Sequence, residues 1–344
     1  MKTKLKGNFI WIFSISCIVF GLLVAFIAML IVGFDMNRLN TDGEWQERRI
    51  VQPLGDINEV NIEVRNRAIE VRAGSGNEIV IIYHENDNVT FTETITNNMV
   101  SLVQGRNRRF VGNMQFFTVG IQIGPGPLVV EIPAEALLTG RFRTTNGRVD
   151  IGQSGFTNLQ INSSNGRIYL DRVTVANQTT MRTSNGLVTL TESTFGDSLD
   201  ITSTNGRINL ADVELERNVN IRTSNGNINL TNVDGAGDMV TRTTNGRVEL
   251  VDVTTTGNLS LTSSNGHISL VDTVFHDGKI VTSNGRVTVN NLRDHQEYRF
   301  VTRTSNARTT IGELNLGSGS NNFGDGERLL EVRTSNGAIE ITFD

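Results

Sequence analysis

Arginine is the chemically capable residue whose placement in this sequence is periodic. A tetrapeptide box, Thr/Ser-Thr/Ser-Asn-Gly with Ala307 replacing the glycine once, recurs ten times. Three residues before its asparagine stand Arg143, Arg182, Arg222, Arg242, Arg303 and Arg333; two after it stand Arg148, Arg167, Arg207, Arg247, Arg286 and Arg308. Guanidinium forks hold phosphate and carboxylate groups through paired hydrogen bonds. Two rows repeating with the box therefore suit a polyanion, such as a teichoic acid, an acidic polysaccharide or a lipid headgroup layer. The candidate binding residues are Arg143, Arg148, Arg167, Arg182, Arg207, Arg222, Arg242, Arg247 and Arg286. The competing reading pairs these arginines with Asp150, Glu249 or Glu340, leaving a solvated edge that keeps a sheet from aggregating. The whole chain carries a net charge of -5, and beyond the N-terminal lysines only Lys279 adds to the arginines.

Other chemistry finds little support. Glu192, Asp212, Asp252, Asp272 and Glu313 recur six residues after the box glycine, or after Ala307 in its place, which reads as a second turn in each repeat rather than a catalytic cluster. His84, His267, His276 and His295 share neither a column nor a metal-ligand spacing. There is no phosphate loop, nucleophile elbow or zinc motif. The expectation is a protein that is not an enzyme and uses no cofactor and no metal.

The elements that must carry the arginines follow from the repeat. The box asparagines are Asn146, Asn165, Asn185, Asn205, Asn225, Asn245, Asn265, Asn284, Asn306 and Asn336, spaced by 19 or 20 residues until two longer steps of 22 and 30. A period in this range marks a solenoid. Apolar and polar residues alternate on both sides of the box, as in Leu199-Asp200-Ile201-Thr202 and Ile208-Asn209-Leu210, so each repeat holds two short strands. Inward columns are expected four residues before the asparagine (Phe142, Ile161, Met181, Ile201), three after it (Val149, Ile168, Val188, Ile208) and five after it (Ile151, Leu170, Leu190, Leu210). An antiparallel meander would also use Asn-Gly turns, but it gives no reason to repeat the whole box. Parallel stacking does, because each asparagine amide can donate to one neighbour and accept from the next. The fold class expected is all-β, a single-stranded parallel β-helix of about 20-residue rungs with a ladder through Asn146 to Asn284, preceded by one N-terminal transmembrane helix. Glycine is expected to supply a positive φ at the corner, and Ala307 to distort its rung. Gly317 to Asn322 reads as a loop between rungs, and Val332 to Phe343 as a final rung with an open edge.

From Phe9 to Phe34 the chain carries no charge, more than the ~20 residues that cross a bilayer. Lys2, Lys4 and Lys6 precede it, which places residues 1–8 in the cytoplasm and the repeats outside, in a single-pass cell-membrane protein. A cleaved signal peptide fits less well, because its apolar core is shorter and ends in a small-x-small site. Residues 35–55 read as a juxtamembrane linker, 56–140 as irregular first rungs and a cap, and 141–344 as the regular solenoid. Strand-like runs lie at Val60 to Val64, Ala68 to Val71, Ile79 to Tyr83 and Val89 to Phe91. Gln104 to Pro127 stands apart through Arg106, Arg108, Arg109, Phe110, Phe116 and Phe117, which either pack an irregular rung or hold an anionic polymer.

The run Leu128-Val129-Val130-Glu131-Ile132-Pro133, then Leu137-Leu138 and Phe142-Arg143-Thr144-Thr145-Asn146-Gly147-Arg148-Val149, resembles the bacterial putative-adhesin β-strand-repeat family of unknown function over Ile57 to Asp344. The resemblance implies a right-handed β-helix, membrane-anchored or secreted, with no known catalytic residues. The function expected is a non-catalytic, adhesin-like binding or scaffolding module at the cell surface. Its expected partners are the bilayer through residues 9–34 and an anionic envelope polymer or a membrane protein, with no nucleic acid. A regulatory or envelope-stress accessory and a solenoid that self-assembles through its rung edges are the alternatives.

Overall fold

A computed structural model describes residues 2–31, 44–96, 98–105 and 125–343. Two compact units divide the chain. One comprises Met1–Gln46, Glu85–Thr90 and Arg106–Pro125; the other comprises Glu47–His84, Phe91–Gly105 and Gly126–Asp344. In the first, an α-helix runs Lys2–Ile31, and Phe13, Ile18, Phe20, Leu22 and Leu23 on it are exposed. Among the described residues no helix is long and apolar enough to cross a membrane. The spanning role of residues 9–34 is thus a reading of their sequence and not a feature of the fold. Most of the segment Gln104 to Pro127, with its arginines and phenylalanines at 106–117, lies outside the described residues.

The second unit is a parallel solenoid. Ile208 pairs with Val188 on one side and Ile228 on the other, a register of 20 residues held through Ala211. Leu190, Leu210, Leu230, Leu250 and Leu270 stack on one another in the same way. The meander is thereby excluded. All three inward columns named from the sequence are buried, and no single rung could bury them alone.

Each rung has one more face than the two strands expected. The strand Ile208–Leu215 buries Ile208, Leu210, Val213 and Leu215, so its inward alternation skips a residue at Asp212. That residue is left-handed, with φ 56°. The same corner recurs at Gln153, Arg172, Glu192, Asn232, Asp252, Asp272 and Asn291, with φ between 47° and 54°. These are the positions six after the box glycine, so Glu192, Asp212, Asp252 and Asp272 are turn residues, as their spacing implied; on the outer rung the left-handed residue is Gly312, one before Glu313. Asn232 also donates to Asp212 Oδ1 at 2.5 Å. Glu192 lacks the short side chain that makes this conformation tolerable. Glu192→Asn is expected to raise stability by about 0.5–1 kcal/mol, read as a higher denaturation midpoint.

The box corner works differently from the expectation. Among the described residues no box glycine has a positive φ. Glycine is required there because successive corners touch backbone to backbone: a methyl group on Gly206 would lie 1.7 Å from the Gly186 carbonyl oxygen, and one on Gly226 would lie 1.9 Å from that of Gly206. The first Thr or Ser of the box is buried and satisfies the corner's polar groups. Thr243 Oγ1 accepts from its own Gly246 N–H at 3.1 Å and donates to the Gly226 carbonyl below at 3.2 Å.

Both ends depart from chain order. The segment Glu59–Glu63 lies between Met99–Gln104 and Leu138–Thr144, parallel to both. Ile69–Gly74 lies likewise between Leu128–Pro133 and Val149–Gly152. At the other end, Arg328–Arg333 pairs with Gly278–Val281 on one side and with Tyr298–Ile311 on the other. At this C-terminal end the chain therefore lays down the outer rung first and returns to fill the place beneath it, which corrects the reading of Val332 to Phe343 as the final rung. The stretch read as a loop is a strand, Leu314–Phe323, antiparallel on Tyr298–Ile311. At the N-terminal end Phe91–Ile95 and Glu78–Glu85 cover the outer rung in the same antiparallel manner. Part of the expected linker is also a strand, Gln46–Pro53. The outermost position explains Ala307: no further corner stacks on it, and the strand Tyr298–Ile311 runs through the box without bending.

Candidate functional site

The asparagine corner is the most regular surface of the solenoid. Each box asparagine donates from Nδ2 to Oδ1 of the one before it in the stack, at 2.6–2.8 Å, from Asn165 on Asn146 through Asn284 on Asn265. The ladder continues through Asn336 on Asn284 and Asn306 on Asn336, both 2.6 Å. At its other end Asn146 donates to Asn66 at 2.6 Å. Asn66 was missed in the sequence because Arg65 and Arg67 replace its box neighbours; the signal available was its place four residues after the inward Ile62, matching Phe142 and Asn146.

All nine candidate arginines are exposed, on the two sides of this ladder. The pairing that competes with binding reaches four of the nine, three of them at the N-terminal end of the stack. Arg148 Nε lies 2.6 Å from Asp150, and Arg167 lies 3.6 Å from the same carboxylate. Arg143 reaches Glu63 at 3.9 Å, and Arg247 reaches Glu249 at 3.9 Å. Arg182, Arg207, Arg222, Arg242 and Arg286 have no acidic group within ion-pair distance among the described residues, and Glu340 holds no arginine. The second Ser or Thr of the box lies between the rows, exposed at Ser164, Ser184 and Thr204 and half-buried at Ser264.

Two further features shape the surface. A shallow groove of about 330 Å³ runs over Asn162, Ser164 and Ser184 between Arg143 and Arg182. His267 occupies an arginine position, where burial first and then the Arg247 and Arg286 charges push its pKa down, so it is neutral at physiological pH. Among the described residues no group of three His, Cys, Asp or Glu side chains could hold a metal ion. His84, His276 and His295 sit apart from the corner, beside Glu47, Asp277 and Phe343 respectively.

The family model of Toastrack DUF4097 matches residues 57–342. The chain belongs to the Toastrack DUF4097 family. The matched span begins before the ladder's Asn66 and closes on the inserted penultimate rung, so the toastrack region contains every rung described above. A search of curated proteins finds no match. Among solved structures, the chain is similar to a "putative cell adhesion protein" from Clostridium sporogenes ATCC 15579, at 9% identity and a TM-score of 0.20, with 88% of this chain and 100% of that chain covered.

Proposed function

We propose that this chain is a membrane-anchored, extracytoplasmic solenoid that acts as a non-catalytic binding or scaffolding module and engages an anionic polymer of the cell envelope along its asparagine corner. The observation that carries the reading is the set of exposed arginines without carboxylate partners, Arg182, Arg207, Arg222, Arg242 and Arg286, arranged beside a rigid ladder. A guanidinium that is neither buried nor paired is free to take a phosphate or carboxylate fork. Repetition along the stack then turns weak single contacts into multivalent ones. The uncharged run 9–34, with lysines before it, supports anchoring by the N-terminal segment. The covered outer rungs speak against assembly through rung ends, since antiparallel strands already occupy them.

Reversing four charges together, with Arg207→Glu, Arg222→Glu, Arg242→Glu and Arg247→Glu, tests the reading. Binding of the full chain to purified anionic envelope polymer is expected to fall at least ~10-fold at low salt, with unchanged circular dichroism. Unaltered binding by the reversed protein would refute the arginine corner as the contact surface.

A further inference from the structure

The arginines have a second period, which only the spatial order of the rungs brings out. In stacking order, the position two residues after the asparagine reads Arg247, His267, Arg286, Ala338 and Arg308, because the rung of Asn336 sits between those of Asn284 and Asn306. The preceding rungs read Arg167, Leu187, Arg207 and Asn227. From Arg167 onward an arginine thus stands on every second rung, and chain order would break the rule at its last two members; Arg148, on the rung before Arg167, is the exception and shares Asp150 with it. The opposite row has the same spacing from Arg143 through Arg182 to Arg222, out of phase with Arg167 and Arg207, and loses it at Arg242, which stands on the rung next to Arg222. Charges from Arg167 to Arg308 on one side, and from Arg143 to Arg222 on the other, are two rungs apart, ~9.6 Å at a strand spacing of ~4.8 Å.

Alternation relieves repulsion between like charges stacked directly on one another, and it also defines a ruler. The groove between Arg143 and Arg182 is one cell of that ruler: two cations two rungs apart with Asn162, Ser164 and Ser184 between them. Each ladder asparagine uses one amide N–H in the ladder and keeps a second, so the intervening surface offers hydroxyls and amides to a neutral polar group. An extended, β-linked disaccharide has about this length. One sugar carrying a carboxylate would meet the arginine, and the neutral sugar would lie over the polar cell. Poly(glycerol phosphate), with three carbons between phosphates, repeats its charge at shorter intervals and does not keep this register.

We infer that the corner binds a linear acidic polysaccharide with one carboxylate per disaccharide, laid along the stacking direction with each disaccharide spanning two rungs. This rests on the polyanion reading above and narrows its ligand. The probes are hyaluronan, with one carboxylate per disaccharide, polygalacturonate, with one per sugar, and poly(glycerol phosphate), each titrated onto the detergent-solubilised full chain. Hyaluronan is expected to bind best per charge. The charge-conserving double variant Leu187→Arg with Arg207→Leu shifts one cation by a rung at an exposed position and is expected to weaken hyaluronan binding ~10-fold, with poly(glycerol phosphate) binding unchanged. Should that variant misfold, hyaluronan oligosaccharides of increasing length on the unmodified chain replace it: affinity is expected to rise with each added disaccharide, and a flat dependence overturns the inference. Equal binding of all three polymers per charge, or an indifferent register variant, overturns the ruler and leaves the polyanion reading standing. Absence of binding to every polymer at low salt overturns both.

Discussion

Gly206→Ala is expected to destabilise the solenoid by about 3 kcal/mol or more, although it adds a single methyl group. The methyl carbon would lie 1.7 Å from the Gly186 carbonyl oxygen, and the obstructing atom is backbone, which cannot rotate away. Relief requires the rungs to separate at the corner. That would strain the Asn205 to Asn185 link of 2.6 Å and the strand pairing from Val188–Ile208 onward. Ala307→Gly, at the outer rung, is the control and is expected to change stability by less than about 1 kcal/mol. Denaturation of both variants in urea measures the contrast; a wild-type midpoint for Gly206→Ala would show that the corners are not stacked as described.

Ile208→Asp is expected to be at least as damaging, on the order of 4 kcal/mol. Ile208 is fully buried and contacts Val188 and Ile228 in register. An aspartate there would place a carboxylate in an apolar column that offers it no cation. Because neighbouring rungs complete each other's core, the loss should spread to both sides of the substitution rather than remain local. The expected result is an early transition covering several rungs in hydrogen exchange. Exchange confined to residues near 208, with an unchanged melting curve, would contradict the shared core.

Much of this architecture was legible because the repeat records it directly. A box recurring at a constant step states the rung length, and alternation around it names the inward columns. The third face was not legible. A left-handed residue seven after the asparagine skips one position of the alternation, so Val213 and Leu215 fall out of phase with Ile208 and Leu210. The glycine's place was readable, but its reason was not: a turn glycine and a stacking glycine look alike until the Gly186 carbonyl is seen against Gly206. Rung order at the ends was also hidden, since the 22- and 30-residue steps read as ordinary insertions when they are the route out to the outer rung and back. At the candidate site, the sequence located both arginine rows. It could not separate Arg148 and Arg167, which share Asp150, from Arg207 and Arg222, which face no carboxylate within reach.

The most direct test of the arginine corner is the binding of the detergent-solubilised full chain to intact cell-wall polymer and to vesicles of anionic lipid, each at low and at moderate salt. Exposed cation contacts weaken as the screening length falls from ~30 Å at 0.01 M to ~8 Å at 0.15 M salt. The account predicts binding to the wall polymer that declines over this range and that disappears when Arg207, Arg222, Arg242 and Arg247 are reversed. No binding to the polymer at either salt would contradict it.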